Sequence, residues 1–178
     1  IYVEWSKPTE FDTLLAPGPY RYLIYRSDSI WGTNFVLIDS TLSIDDTMYY
    51  DDQLNTVDMP YSYKIEFINN TPGNRFLIGP AMTASSIWLD LQGADNQITI
   101  NLEKNVPWIN YQYIIYRKNN QTAIWDSIGI AYTETYVDSN LSNGKEYCYQ
   151  TTAYGRYLSG NYADPLINVS HQNCAEPI

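Results

Sequence analysis

The sequence predicts an all-β chain made of two consecutive copies of one sandwich module, and three observations carry that prediction. The first is an internal repeat. YRYLIYR at 20–26 returns as YQYIIYR at 111–117, 91 residues later. FVLI at 35–38 is matched by WDSI at 125–128, YYDDQL at 49–54 by YVDSNL at 136–141, and YSY at 61–63 by YCY at 147–149. Four blocks in one order, with offsets drifting only from 91 to 86, mean two copies that differ by small loop insertions. The second is periodicity: within each copy, segments of five to eight residues alternate apolar with polar or are β-branched and aromatic, and no sustained 3.6-residue apolar period appears. The third is composition. The 18 tyrosines, against 4 Phe and 5 Trp, suit pleated surfaces where one ring face packs and the hydroxyl stays wet.

Taken in order, 1–7 alternates around Trp5, and Pro17-Gly18-Pro19 turns the chain into 20–27. Strands follow at 35–40, 47–50 and 61–68, and the Asn- and Gly-rich stretch 69–74 leads to 75–82. The second copy reads as strands at 86–91, 97–103, 111–118, 123–128, 135–138, 146–153 and 166–170. The expected turns are 91–96, where Gly93 and Asn96 break any helical pattern, Asn119-Asn120 and Ser142-Asn143-Gly144. Domains of 1–84 and 85–178 result, each of a size that buries a core.

Trp5 on an alternating strand, then Tyr-x-Tyr-x-x-Tyr-Arg, Tyr-x-Asp-x-x-Leu and Tyr-x-Tyr, resembles the fibronectin type III domain, an immunoglobulin-like sandwich. The resemblance implies strands B, C, C′, E, F and G in the first copy and A, B, C, C′, E, F and G in the second. It also implies a tyrosine corner at Tyr61 and Tyr147, the ring covering the crossing between sheets. Two departures stand out: Leu102 takes the place of the core Trp, and the first copy has no strand A in this chain. Ile1-Tyr2-Val3-Glu4-Trp5 reads as a strand interior, not a signal peptide, so a fragment of a longer array is expected.

Charge narrows the function classes. The net charge is −10, with 5 basic and 11 acidic residues before position 87 and 5 and 9 after it. Phosphate backbones would be repelled from both halves, so no nucleic-acid partner is expected. Apolar runs stop at four or five residues, as in 35–38, which predicts no membrane insertion by this segment.

Catalytic constellations are sparse. His171 is the only histidine, which excludes a multi-His metal site, and it reads as a surface or strand-end residue. Gly-x-Ser-x-Gly, a P-loop and Gly-x-Gly-x-x-Gly are all lacking, and the chain is expected to be non-enzymatic, with no catalytic or cofactor-binding residues. Asp45, Asp46, Asp51 and Asp52 are calcium candidates, since that ion takes about six to eight oxygen ligands. The alternative is a solvated turn, because Asp51 matches Asp138 at the end of the same strand.

By the fold resemblance strands F and G are neighbours, which would bring Cys174 beside Cys148; the alternative is two buried thiols. A bridge closing this loop would contribute roughly 3 kcal/mol and imply an oxidising compartment. Asn-x-Ser/Thr triplets occur at Asn69, Asn120, Asn140 and Asn168. Asp-Ser/Thr followed by an aliphatic residue, Met or Thr occurs at Thr13, Ser29, Ser40, Thr47 and Ser127, similar to the O-glycosylation triplet of exported Bacteroidetes proteins. Trp31 and Trp108 lie between strands and are the candidate ligand contacts; Trp88 reads as a strand A core residue.

The second copy, with Tyr147-Cys148-Tyr149, Ala153-Tyr154-Gly155, 164–168 and 174–177, resembles fibronectin type III repeats of large Bacteroidetes surface proteins. Such proteins often end in gliding-motility-associated domains and leave the cell by type IX secretion. The resemblance implies an extracellular or outer-surface structural or adhesive module whose partners are other domains of the same long chain. The alternatives are a carbohydrate- or protein-binding module and an accessory region of a secreted hydrolase.

Overall fold

Alternation decides which side chains face inward. In QITINLE at 97–103, Ile98, Ile100 and Leu102 are buried while the polar residues between them are not, the signature of a strand with one packed face. The computed structural model describes residues 1–8, 10–160 and 162–178, and among them it contains strands and no helix.

The first sandwich comprises β1 (Tyr2–Glu4), β2 (Tyr20–Ser27), β3 (Val36–Ser40), β4 (Met48–Tyr50), β5 (Ser62–Asn69), β6 (Phe76–Leu77) and β7 (Met82–Ser85). One sheet is β1-β4; the other runs β3-β2-β5, with β6 and β7 both paired to β5. The second sandwich comprises β8 (Trp88–Ala94), β9 (Gln97–Glu103), β10 (Ile109–Lys118), β11 (Trp125–Ala131), β12 (Thr135–Ser139), β13 (Tyr147–Arg156), β14 (Leu166–Val169) and β15 (Asn173–Ala175). Its sheets are β12-β9-β8 and β11-β10-β13, with β14 and β15 both on β13. These are the orders E-B-A and C′-C-F-G, so the chain is two tandem sandwiches of the fibronectin type III arrangement.

The cores differ in chemistry. In the first, Trp5 meets Tyr22 edge-on at 5.3 Å between ring centres, Tyr22 lies 5.1 Å from Phe67, and Phe67 contacts Tyr20 and Phe11. In the second, Ile87, Leu89, Ile98, Ile100, Leu102 and Ile115 pack with Tyr113 and Tyr149. Trp5 and Leu102 are equivalent, since their N–H groups donate to Thr47 O (3.0 Å) and Glu134 O (2.9 Å) at matching points of strand E. Trp5 is only half-buried, whereas Leu102 is buried. The expected tyrosine corner is present at Tyr147, whose hydroxyl accepts the Ser142 N–H at 3.1 Å.

Several expected boundaries need correction. Residues 91–94, expected as part of a turn, continue β8, and only Asp95 and Asn96 turn the chain. Asn96 takes the positive φ of 56° that such a tight connection requires, so Gly93 is not there to break the strand. It is there because a Cβ would collide with the Glu176 carbonyl. Strand G is split in both copies, as β6 and β7 and as β14 and β15. In the first copy the break falls at Gly79 and Pro80, where φ is positive at Gly79 (75°) and Pro80 has no N–H for the ladder. Among the described residues β1 pairs with β4 alone.

Candidate functional site

The candidate ligand contacts have different surroundings. Trp31 stands in the loop between β2 and β3 with 66% of its surface exposed. That loop is tied from beneath, where the Ser62 hydroxyl donates toward Ser29 O and Ile30 O at 2.6 and 2.8 Å and Ile30 is buried. The Trp31 ring is therefore free on a fixed base. Trp108 is half-buried, its indole N–H bonded to Asn110 Oδ1 at 2.8 Å and its ring edge-on to Tyr157 at 6.1 Å. Gly155 leaves the room that Trp108 occupies, since a Cβ there would meet its ring at 2.5 Å. Trp88 and His171 stack face to face at 4.1 Å. His171 is thus a packed ring and not a surface one, and burial lowers its pKa below the usual value.

The four candidate calcium ligands are not brought together. No three of them place carboxylate oxygens within 4.8 Å of one another. Asp45 pairs with Lys7, and with Asp39 and Asp46 it borders an open groove of about 550 Å³ between β3 and β4. Asp51 instead turns inward and is 5% exposed. Its carboxylate accepts from Arg26 Nη1 at 3.1 and 3.2 Å and from the Tyr63 hydroxyl at 2.8 Å, so Asp51 is not the solvated turn residue expected.

The same arrangement recurs in the second copy, where Asp138 accepts from Arg117 Nη1 at 2.7 Å and from Tyr149 Oη at 2.8 Å. Each guanidinium also lies 5.6 Å from the ring centre of the tyrosine that opens strand F, Tyr61 or Tyr147. Sequence reasoning missed these clusters, although the signal was present. Tyr22, Ile24 and Arg26 are spaced by two, as are Tyr113, Ile115 and Arg117, so each arginine lies on the face of its strand that fills the core. Tyr49 and Asp51, and Tyr136 and Asp138, share a face in the same way. Chemically, each cluster is a satisfied ion pair. Burial first, and then the neighbouring carboxylate, push the Tyr63 and Tyr149 hydroxyls far above their ordinary range, so both remain donors. In each copy the aspartate carboxylate is engaged by its own arginine and tyrosine.

The modification candidates also separate. Thr13 and Ser127 are exposed, whereas Ser29, Ser40 and Thr47 are half-buried. Asn69 is fully buried with its amide donating to Pro17 O, which removes it as a glycan acceptor. Asn120 and Asn140 are exposed, and Asn168 donates to Ser85 O at 2.9 Å. Cys148 and Cys174 face each other across β13 and β15 and form a disulfide.

The sequence matches no protein-family model. Over 104 residues it is 31% identical to the tRNA 2-agmatinylcytidine synthetase TiaS of Methanococcus voltae, a stretch that is 58% of this chain and 18% of that protein. Among solved structures it is similar to the chicken interferon gamma receptor alpha chain, with a TM-score of 0.38 and 11% identity, over 99% of this chain and 92% of that one. It is also similar to the FN1–FN3 domains of chicken CNTN1, with a TM-score of 0.39 and 10% identity, over 90% of this chain and 57% of that one.

Proposed function

We propose that the chain is a non-enzymatic structural repeat unit of an extracellular or outer-surface protein, its two modules meeting after Ser85, one residue beyond the expected boundary at 84. In this reading it spaces neighbouring domains of a longer chain and presents loops from a fixed frame. The observation that carries it is the use of buried polar chemistry: in each copy the inward Arg, Asp and Tyr satisfy one another across the two sheets instead of lining a cleft. The Cys148–Cys174 disulfide supports an oxidising compartment. A net charge of −10 opposes the tRNA chemistry named for the Methanococcus voltae relative. The resemblance of the second copy to repeats of Bacteroidetes surface proteins supports the narrower reading of a type IX secretion cargo. There Thr13 and Ser127 would be the O-glycan acceptors.

The second reading, a carbohydrate- or protein-binding module, is favoured by one observation: Trp31 projects from a loop whose base is anchored by Ser62. Glycan arrays and surface-protein pull-downs distinguish the two. The spacer reading expects no saturable binding; binding that disappears in Trp31→Ala would replace it with recognition.

A further inference from the structure

Tandem modules joined by a short interface move relative to each other unless something holds the joint. Here the chain passes from one sandwich to the next without a free residue. Ser85 is the last residue of β7 and pairs with Ser62 of β5, so it belongs to the first sandwich. Its remaining polar groups are taken by the second. The Ser85 N–H donates to Asn105 O at 2.8 Å, Ser85 Oγ accepts the Asn105 N–H at 2.7 Å, and Ser85 O accepts from Asn168 Nδ2 at 2.9 Å. Ser86 then reaches back, its N–H donating to Tyr61 O at 3.2 Å. Ile87 follows directly, fully buried in the second core and bridged to Ser170. Beside this crossing, the Tyr157 hydroxyl of the second sandwich contacts the Met82 sulfur of the first at 3.7 Å.

We propose that Ser85, Asn105 and Asn168 form an interdomain clamp that fixes the angle between the two sandwiches, so that the pair behaves as one rigid elbow. Asn105 and Asn168 come from different parts of the second sandwich, a loop and β14, and together they hold one residue from two directions. Such a contact resists both bending and rotation about the crossing. Ser85 is 4% exposed, so water does not compete freely for these bonds. The elbow does not depend on whether either module binds a ligand.

The test is alignment of the two sandwiches in solution by residual dipolar couplings on the whole chain. One alignment tensor for both sandwiches is expected for the natural sequence. Ser85→Ala combined with Asn168→Ala should give two different tensors while the amide shifts away from the joint stay in place. Asn168→Ala alone, in a solvent-reachable strand, covers the case in which the double variant unfolds, and it should widen the angular spread without changing either core. Insertion of two glycines between Ser85 and Ser86 supplies the uncoupled reference. Two tensors in the natural chain, or a single tensor persisting in the folded variants, would overturn the clamp.

Discussion

Where the first sandwich sets Trp5 edge-on against Tyr22, the second sets Leu102 among Ile98, Ile100 and Ile115, at the same point of the same strand order. Where the first pairs Ser62 with Ser85 across strands F and G, the second pairs Cys148 with Cys174. One position thus serves two purposes. In the first copy Ser62 holds the carbonyls of the Trp31 loop; in the second the equivalent residue ties the last strand to the sheet. The Arg–Asp–Tyr cluster is unchanged between them. The sandwich therefore tolerates large changes in apolar filling, because dispersion is non-directional, while the charged cluster is retained with its geometry. The second copy has the disulfide, and it should be the more stable of the two.

The largest expected effect lies in what the copies share. Asp138→Ala leaves Arg117 and Tyr149 without their acceptor in a largely buried site and should cost about 3–4 kcal/mol. Asp51→Ala should cost the first copy as much. Denaturant unfolding followed by amide exchange separates the two sandwiches, and a cost that differs widely between these variants would show that the clusters are not equivalent. Next comes what only one copy has. Replacing Cys148 and Cys174 by Ala, or reducing the bridge, should lower the second transition by about 3 kcal/mol and leave the first in place. Calorimetry in which both transitions move together would mean that the sandwiches unfold as one unit.

Exchanging the core residues is a smaller perturbation. Trp5→Leu removes the edge-on contact with Tyr22 and should destabilise the first copy by about 2 kcal/mol. Leu102→Trp overpacks the second and should cost it a comparable amount, about 1–3 kcal/mol. If either swap is neutral by urea denaturation, the two cores are interchangeable and the comparison weakens. The smallest effect is titration of His171, present only in the second copy. Its folded pKa is lowered by burial, so the unfolded chain binds the proton more readily. The stabilising contribution of the neutral ring is complete above the unfolded value near 6.5 and is lost as pH falls below it. Melting temperatures of His171→Phe should lack that decline; an unchanged pH profile would assign the acid sensitivity to other groups.

Local periodicity makes the two copies, their strands and their inward faces legible. It places Cys148 on strand F and, followed to the strand ends, places Arg26, Asp51, Arg117 and Asp138 inward as well. Pairing across the sandwich lies beyond it, because the partners in each cluster are 11 to 25 residues apart and meet only when two sheets close. The run 91–96 looks like a turn in sequence because Gly93 answers to the tail at Glu176, a contact made 83 residues later in the chain. His171 reads as a surface or strand-end residue; it does lie just past the end of β14, but its stacking on Trp88, 83 residues earlier, is beyond local pattern.

The sequence by itself determined the repeat, the all-β class and the position of most strands, because alternation is a local consequence of the pleat. Only the tertiary structure decided that Asp51 and Asp138 are buried acceptors, that Trp31 is free while Trp108 is packed, and that Ser85 is held by both sandwiches. Those outcomes depend on which surfaces face each other, and burial is a property of the assembled layers that no short stretch of chain contains.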